Sequence, residues 1–432
     1  MRDFARSEDP AVQAQLDRLA SLSLPEGRLG LETIGQLLSR LGNPHRQLPP
    51  VFHVAGTNGK GSTCAFLRAI LEADDKLVHA AISPHLVRYN ERIRIAGELI
   101  SDSELATVLA EVLDAGEDLA PSFFEVTIAA SFLAFSRTPA DACVVEVGLG
   151  GRFDATNALE PGAVAACGIA ALGIDHERFL LAPEEGTPDA PLARIAFEKA
   201  GIAKAGRPLL ALHYEEEEAA SEITRSARER GSLLFMQGRD WTADSRGNVL
   251  HYIDSIGELH LPIPSLIGAH QSDNAGLAIA MLRHQSKVEV AEEAIVQGLR
   301  TARWPARLQH LSPGPLTEDH EVWLDGGHNP SAGAALAQYF EGERIHLIIG
   351  MLDNKDPSAI IEPLADNVAS ITAVPVPGHD YHPPEAYGKD VAFAASVPEA
   401  LASLRKGHLP VLVAGSLYLA GEVLRLNGEL PD

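Results

Sequence analysis

The chain is expected to be an α/β protein of two units. A phosphate-loop-containing central-sheet domain would occupy residues 1–300, and a smaller Rossmann-like α/β domain residues 301–432. Three observations lead there. Apolar, β-rich runs alternate with helical patterns, the signature of layered α/β architecture. A glycine-rich loop at 56–62 stands between the first such run and the first helical pattern. The alternation breaks at Arg303-Trp304-Pro305-Ala306-Arg307 and then restarts. A length of 432 residues exceeds one ordinary core, and 46% hydrophobic content is enough to bury more than one.

In chain order, the first unit should hold strands at 51–55, 142–147, 163–169 and 208–212. A helix over 60–73 follows the first strand. Another over 122–136 is too densely apolar to face solvent. The acidic run 215–218 should start a solvated helix, where negative charge suits the helix dipole. Helices over 268–284 and 290–301 close the unit. The second unit should run strand 321–324, helix 330–340, strands 345–349 and 369–373, helix 398–405, strand 411–414 and helix 416–425.

Charge and cysteine usage narrow the function classes. Thirty-five Lys and Arg against 59 Asp and Glu give a formal charge of −24. That balance speaks against nucleic acid and against an anionic membrane as partners, though not against a compact site for one nucleotide. No run of about 18 apolar residues predicts a membrane span, and the first residues, MRDFARSEDP, lack an apolar signal core. Cys64, Cys143 and Cys167 are odd in number, lie in apolar stretches and lack metal-ligand spacing, so buried thiols in a reducing cytoplasm are expected.

The loop Gly56-Thr57-Asn58-Gly59-Lys60-Gly61-Ser62 carries the chemistry. Its glycines let several backbone N–H groups face one anion, and the helix that follows adds partial positive charge. Lys60 places a full charge near the outer phosphates. The general phosphate-loop pattern wants Gly at 54 and Ser or Thr at 61. Val54 and Gly61 depart from it, and the hydroxyl moves to Ser62. Glu146 ends an apolar strand beside a glycine-rich loop, a fitting place for a Mg²⁺ ligand in an α/β crevice and equally an ordinary place for an exposed loop acid.

This loop variant resembles that of the Mur ligase superfamily, and of the dihydrofolate synthase/folylpolyglutamate synthase family in particular. Further segments fit in the same order: SPHLVRYNERI at 83–93, SFFE at 122–125, EVGLGGRFDATN at 146–157, GIDH at 173–176, EKAGIAK at 198–204, AHQSDNA at 269–275, PARLQ at 305–309, DGGHNP at 325–330, GMLDNKD at 350–356 and GSLYLAGEV at 415–423. The resemblance implies an ATP-dependent amide ligase in folate biosynthesis. It implies Ser83 and Glu146 as ligands of one Mg²⁺, and His176 with a carbamylated Lys199 as ligands of a second. A K⁺ ion belongs to the same expectation. Unaided, His176 reads as structural, Ser83-Pro84 as a turn and Lys199 beside Glu198 as a solvated helix face. Twenty-two residues separate His176 from Lys199, more than the family commonly has, and 182–191 reads as a surface loop.

For ATP, the resemblance implies contacts from Asn274, Arg307, Asp325 and His328, with the nucleotide between the domains. Asn329 and Pro330 read besides as a helix cap and first residue. For the pteroate ring, it implies Leu29, Gly30, Leu31, Ser122, Phe123, Phe124, Glu125, Phe153, Asp154 and Ala155. By pattern alone Phe123 and Phe124 read as core. The expected substrates are ATP, L-glutamate and both dihydropteroate and tetrahydrofolates, with chain extension alone as the alternative, and the enzyme is expected to be a monomer. Catalysis would fall to Lys60, Glu146, His176 and Lys199. Only 55 residues precede Gly56, which argues against a peptidoglycan ligase carrying an extra N-terminal domain. A regulatory NTPase without ligase activity is the rival of a different class.

Overall fold

The computed structural model describes residues 6–22, 30–405, 407 and 409–431. Chain contacts divide it into two compact units. One comprises the residues up to Ser265 together with Gln271–Arg303, and the other comprises Leu266–His270 with the residues from Trp304 on.

The first unit is built on an eight-stranded sheet. Its order is Glu98–Leu99, Ile93–Ile95, Val78–Ala81, Ala142–Glu146, Val51–Ala55, Val164–Ile169, Pro208–Ala211, Leu233–Met236. From Val78–Ala81 onward every pairing is parallel, and the two short edge strands are antiparallel. The three central strands are buried at every residue. Covered on both faces, they read as continuous apolar runs, which is why the sequence exposes them so clearly. The strand after Val51–Ala55 lies to one side of it, and Val164–Ile169 lies to the other. The chain therefore reverses direction across the sheet beside Val51–Ala55, and ligand crevices form at the carboxyl ends of strands at such a point.

The helix Lys60–Ala73 has the expected limits. The expected helix 122–136 runs Phe123–Arg137, with Ser122 as its N-cap. The acidic run leads into the helix Glu217–Glu229. The expected helix 268–284 starts only at Gln271, because Leu266–His270 pack with the other unit and Gly268 takes a φ of 115°. All three cysteines are buried. A second, three-stranded antiparallel sheet, Trp241–Arg246, Val249–Asp254 and Gly257–Pro262, was not anticipated. Its inner face buries Trp241, Ala243, Leu250, Tyr252, Leu259 and Leu261, and lies on the helix Gln271–Arg283, where Gly276 meets Ala243 and the Trp241 ring.

The second unit holds a six-stranded sheet ordered Gln309–His310, Val322–Leu324, Val411–Ala414, Ile345–Ile349, Val368–Ala373, Ala392–Phe393. It is parallel except for its first pairing. Leu336, Phe340, Leu347, Ile349, Leu364 and Leu412 belong to its core. Among the described residues, no helix is long and apolar enough to cross a membrane.

Candidate active site

The phosphate loop turns at the carboxyl end of Val51–Ala55. Gly59 precedes the helix with a φ of 82°, and a Cβ there would stand 2.3 Å from Asn274 Oδ1. Both facts demand glycine. Asn274 is itself buried and donates to Gln271 (3.0 Å). Thus Asn274, from a helix more than 200 residues downstream, abuts the loop. The N–H groups of Thr57 and Asn58 donate to the Ala171 carbonyl (2.8 and 3.2 Å). The Thr57 hydroxyl donates to Gly173 O (2.8 Å) and accepts from Gly173 N (3.1 Å). The loop is thereby bolted to the segment that follows Val164–Ile169 and carries His176. Lys60 Nζ donates to the Gly56 and Thr57 carbonyls (3.0 and 3.2 Å). Ser62 is buried on the helix.

Lys199 converges on the same place. It is 4% exposed, and its Nζ also donates to the Gly56 carbonyl (2.9 Å). Burial, reinforced by the charge of Lys60, brings its pKa down to about 7, against the pull of Asp175, Asp154 and Glu198. The solvated helix face read from Glu198-Lys199 is therefore replaced by a buried one. A small cavity is lined by Gly56, Lys60, Gly148, Asp175, His176 and Lys199. His176 has a φ of 54° and a side chain 40% exposed, its Nε2 3.9 Å from Asp175 Oδ2. A left-handed conformation at a non-glycine residue is a local cost that functional sites often carry.

Glu146, 5% exposed, is the last residue of its strand, and its Oε2 accepts from Ser83 N (3.1 Å). The two expected ligands of one ion are thus adjacent. Leu149 and Gly150 line the cavity and also a wider cleft over Arg152, Phe153, Glu184 and Glu198.

That cleft contains an ion network the sequence reading missed. Arg152 binds Glu184 through two nitrogens (3.0 and 2.6 Å) and Glu198 through two more contacts (3.1 and 2.8 Å). Arg194 reaches the same two carboxylates, each at 3.0 Å. The Arg152 guanidinium lies 4.1 Å from the Phe153 ring centre and 4.7 Å from that of Phe197. Glu184 belongs to the stretch read as a surface loop. Instead, its side chain, 17% exposed, is drawn in between two arginines. The only hint in the sequence is the helical spacing of Arg194 and Glu198.

The residues expected to line the pteroate pocket have these places in the structure. Ser122 and Glu125 form a reciprocal capping box: Glu125 Oε2 accepts from Ser122 N and Oγ (both 2.8 Å). The S-x-x-E spacing announces it. The Phe124 ring lies over Gly148, where a Cβ would come within 2.4 Å of it. Phe123 meets Tyr89 edge-on at 6.0 Å, with Arg92 5.4 Å above it. The two oxygens of Asp154 accept from Leu149 N (2.8 Å) and Thr156 N (3.0 Å), so this carboxylate braces the loop after Glu146. Its burial raises its pKa. Ala155 is buried beside it. Gly30 and Leu31 lead into the helix Glu32–Arg40, and Leu29 lies outside the described residues.

In the second unit, Arg307 sits between Ala306 and Leu308, whose φ angles are 56° and 42°. Asp325 Oδ2 accepts from Leu308 N (2.8 Å) and Oδ1 from Gly327 N (2.6 Å). Asp325 thus holds the strained turn that presents Arg307. His328 Nδ1 lies 3.2 Å from the Gly326 carbonyl. Asn329 caps the helix Pro330–Tyr339, accepting from Ala332 N (3.0 Å).

No protein-family model matches the chain. It is 33% identical over 413 residues to the dihydrofolate synthase/folylpolyglutamate synthase of Escherichia coli, a match covering 92% of this chain and 91% of that protein. It is also 33% identical over 419 residues to a probable bifunctional folylpolyglutamate synthase/dihydropteroate synthase of Halobacterium salinarum, and there it spans only 49% of the relative's length. Among solved structures, E. coli FolC in complex with DHPP and ADP superposes with a TM-score of 0.84 at 31% identity, covering 98% of each chain. A bifunctional folylpolyglutamate synthase/dihydrofolate synthase with Mn, AMPPNP and L-glutamate bound gives 0.82 at 28% identity, covering 98% of this chain and 99% of that one.

Proposed function

The chain belongs to the dihydrofolate synthase/folylpolyglutamate synthase family, and on that premise we propose that it joins L-glutamate to a folate carboxylate at the expense of ATP. The acceptors are dihydropteroate, giving dihydrofolate, and tetrahydrofolates, giving γ-linked polyglutamates. What supports the reading is the convergence of Lys60, His176 and Lys199 on one cavity at the carboxyl ends of buried parallel strands, in a chain that matches nearly the whole E. coli enzyme.

A carboxylate is a poor electrophile at neutral pH. Its oxygen attacks the γ-phosphoryl group of ATP in line, which releases ADP and leaves an acyl phosphate. The glutamate amine then attacks the acyl carbon, forming the amide and expelling phosphate. Lys60, restrained now by the carbonyls of its own loop, supplies charge to the outer phosphates. Positioning does much of the work, since anions must be held together. The paired Ser83 and Glu146 have the oxygen chemistry for one Mg²⁺, and His176 with Lys199 would hold the other. Bound ions of this kind screen phosphate charge. An amine brought to about pKa 7 is in large part unprotonated at neutral pH, the form that reacts with CO₂ to give a carbamate. The carbamate, the count of two ions, K⁺ and the monomeric state are carried over from the resemblance, and the cytoplasmic location from the three apolar-flanked cysteines. So are the ATP contacts of Asn274, Arg307, Asp325 and His328.

The test is phosphate release over a matrix of dihydropteroate and tetrahydrofolate, each with and without L-glutamate. Release that requires both glutamate and an acceptor is expected. Release indifferent to glutamate would leave a plain NTPase, and activity on tetrahydrofolate alone would leave only chain extension.

A further inference from the structure

The outer face of the three-stranded sheet carries a cluster that the ligase chemistry does not use. His251 on Val249–Asp254 lies directly opposite His260 on Gly257–Pro262. Glu258 stands two residues before His260, so strand alternation puts all three side chains on one face. The neighbours that alternate with them, Leu250, Tyr252, Leu259 and Leu261, fill the buried face. His260 Nε2 is 3.4 Å from Glu258 Oε1, His251 Nδ1 is 4.0 Å from the same oxygen, and the two rings meet edge-on with centres 4.8 Å apart. All three ligand atoms lie within 4.8 Å of one another. Asp244 is opposite His251 on the third strand and adds negative charge to the same row.

We propose that His251, Glu258 and His260 form a surface site for a late first-row transition-metal ion, with zinc as the physiological candidate. Bonds of about 2.0–2.1 Å around a tetrahedral ion put its ligands roughly 3.3 Å apart. The His260–Glu258 separation already meets that, and His251 has to close from 4.0 Å to the shared oxygen and from no more than 4.8 Å to the other ligand atom, a movement within reach of a partly exposed ring on a strand. Two imidazoles and one carboxylate suit zinc and disfavour Mg²⁺, which wants oxygen ligands. Water completes the shell on the open side. The ion would tie Val249–Asp254 to Gly257–Pro262 across a hairpin otherwise held by backbone pairing and one apolar face.

Equilibrium dialysis of the full chain against zinc in a large excess of Mg²⁺ tests this. The wild type should hold one more zinc per chain than His260→Gln, and His251→Gln should match His260→Gln. His260 is exposed, so its loss does not threaten the fold. Amide exchange over residues 249–262 should slow about tenfold on adding zinc to the wild type and stay unchanged in either variant. Equal zinc content in wild type and both variants would overturn the proposal, as would zinc lost instead in His176→Gln.

Discussion

Lys199→Met should produce a chain that is more stable than the wild type at neutral pH and inactive as a ligase. The buried amine has its pKa brought down to about 7, while an unfolded lysine titrates at roughly 10.4. At about 1.4 kcal/mol for each pH unit between them, the folded state forfeits roughly 4 kcal/mol at pH 7 by holding this lysine where its proton is unwelcome. Methionine has no such cost. It does forgo the hydrogen bond to the Gly56 carbonyl, worth about 1 kcal/mol net, so the expected gain is about 3 kcal/mol. The sign with pH is definite. The penalty is complete below the folded pKa, shrinks as pH rises through the interval, and disappears above the unfolded pKa. Urea unfolding in CO₂-free buffer at pH 7 and pH 9.5 measures it, and the advantage of the variant should at least halve at the higher pH. A variant less stable than the wild type at pH 7, or a difference independent of pH, would refute the reasoning about Lys199.

Glu146→Gln should abolish turnover at ordinary Mg²⁺ in the glutamate-dependent phosphate assay, since it removes the charge from the carboxylate beside Ser83; wild-type rates would take Glu146 out of the site. Arg152→Met should cost about 2–3 kcal/mol in chemical denaturation, below the 3–5 of a fully broken buried pair because Arg194 still reaches both carboxylates. Combining it with Glu184→Gln should give a loss well short of the sum of the two. Gly59→Ala should weaken nucleotide binding at least tenfold by isothermal titration, because the added carbon meets Asn274 in a left-handed turn; unchanged affinity would mean the loop tolerates another shape.

The central strands were legible because burial on both faces leaves an unbroken apolar run, as in Val51–Ala55 and Val164–Ile169. The three-stranded sheet was not. Its strands alternate, with Asp244, His251 and Glu258 taking polar places between apolar ones, so they show no unbroken apolar run. The phosphate loop and Glu146 could be placed from local pattern, since strand, turn and helix adjoin in sequence. The brace of Arg152, Glu184, Arg194 and Glu198 could not, because Arg152 finds its partners 32 and 46 residues away. The burial of Lys199 was hidden for a related reason: Glu-Lys on a helix looks alike in water and in a core, and only packing against Gly56 separates the two.

The Gly56 carbonyl, reached by both Lys60 and Lys199, holds two amines side by side. Burial first, and then the charge on Lys60, makes the proton on Lys199 unwelcome. A polyphosphate settling on Lys60, as proposed, would offset that repulsion and favour the proton's return. On the proposed function, the unprotonated amine would then be more abundant before the nucleotide arrives than after, and a reaction that consumes it would be favoured ahead of loading.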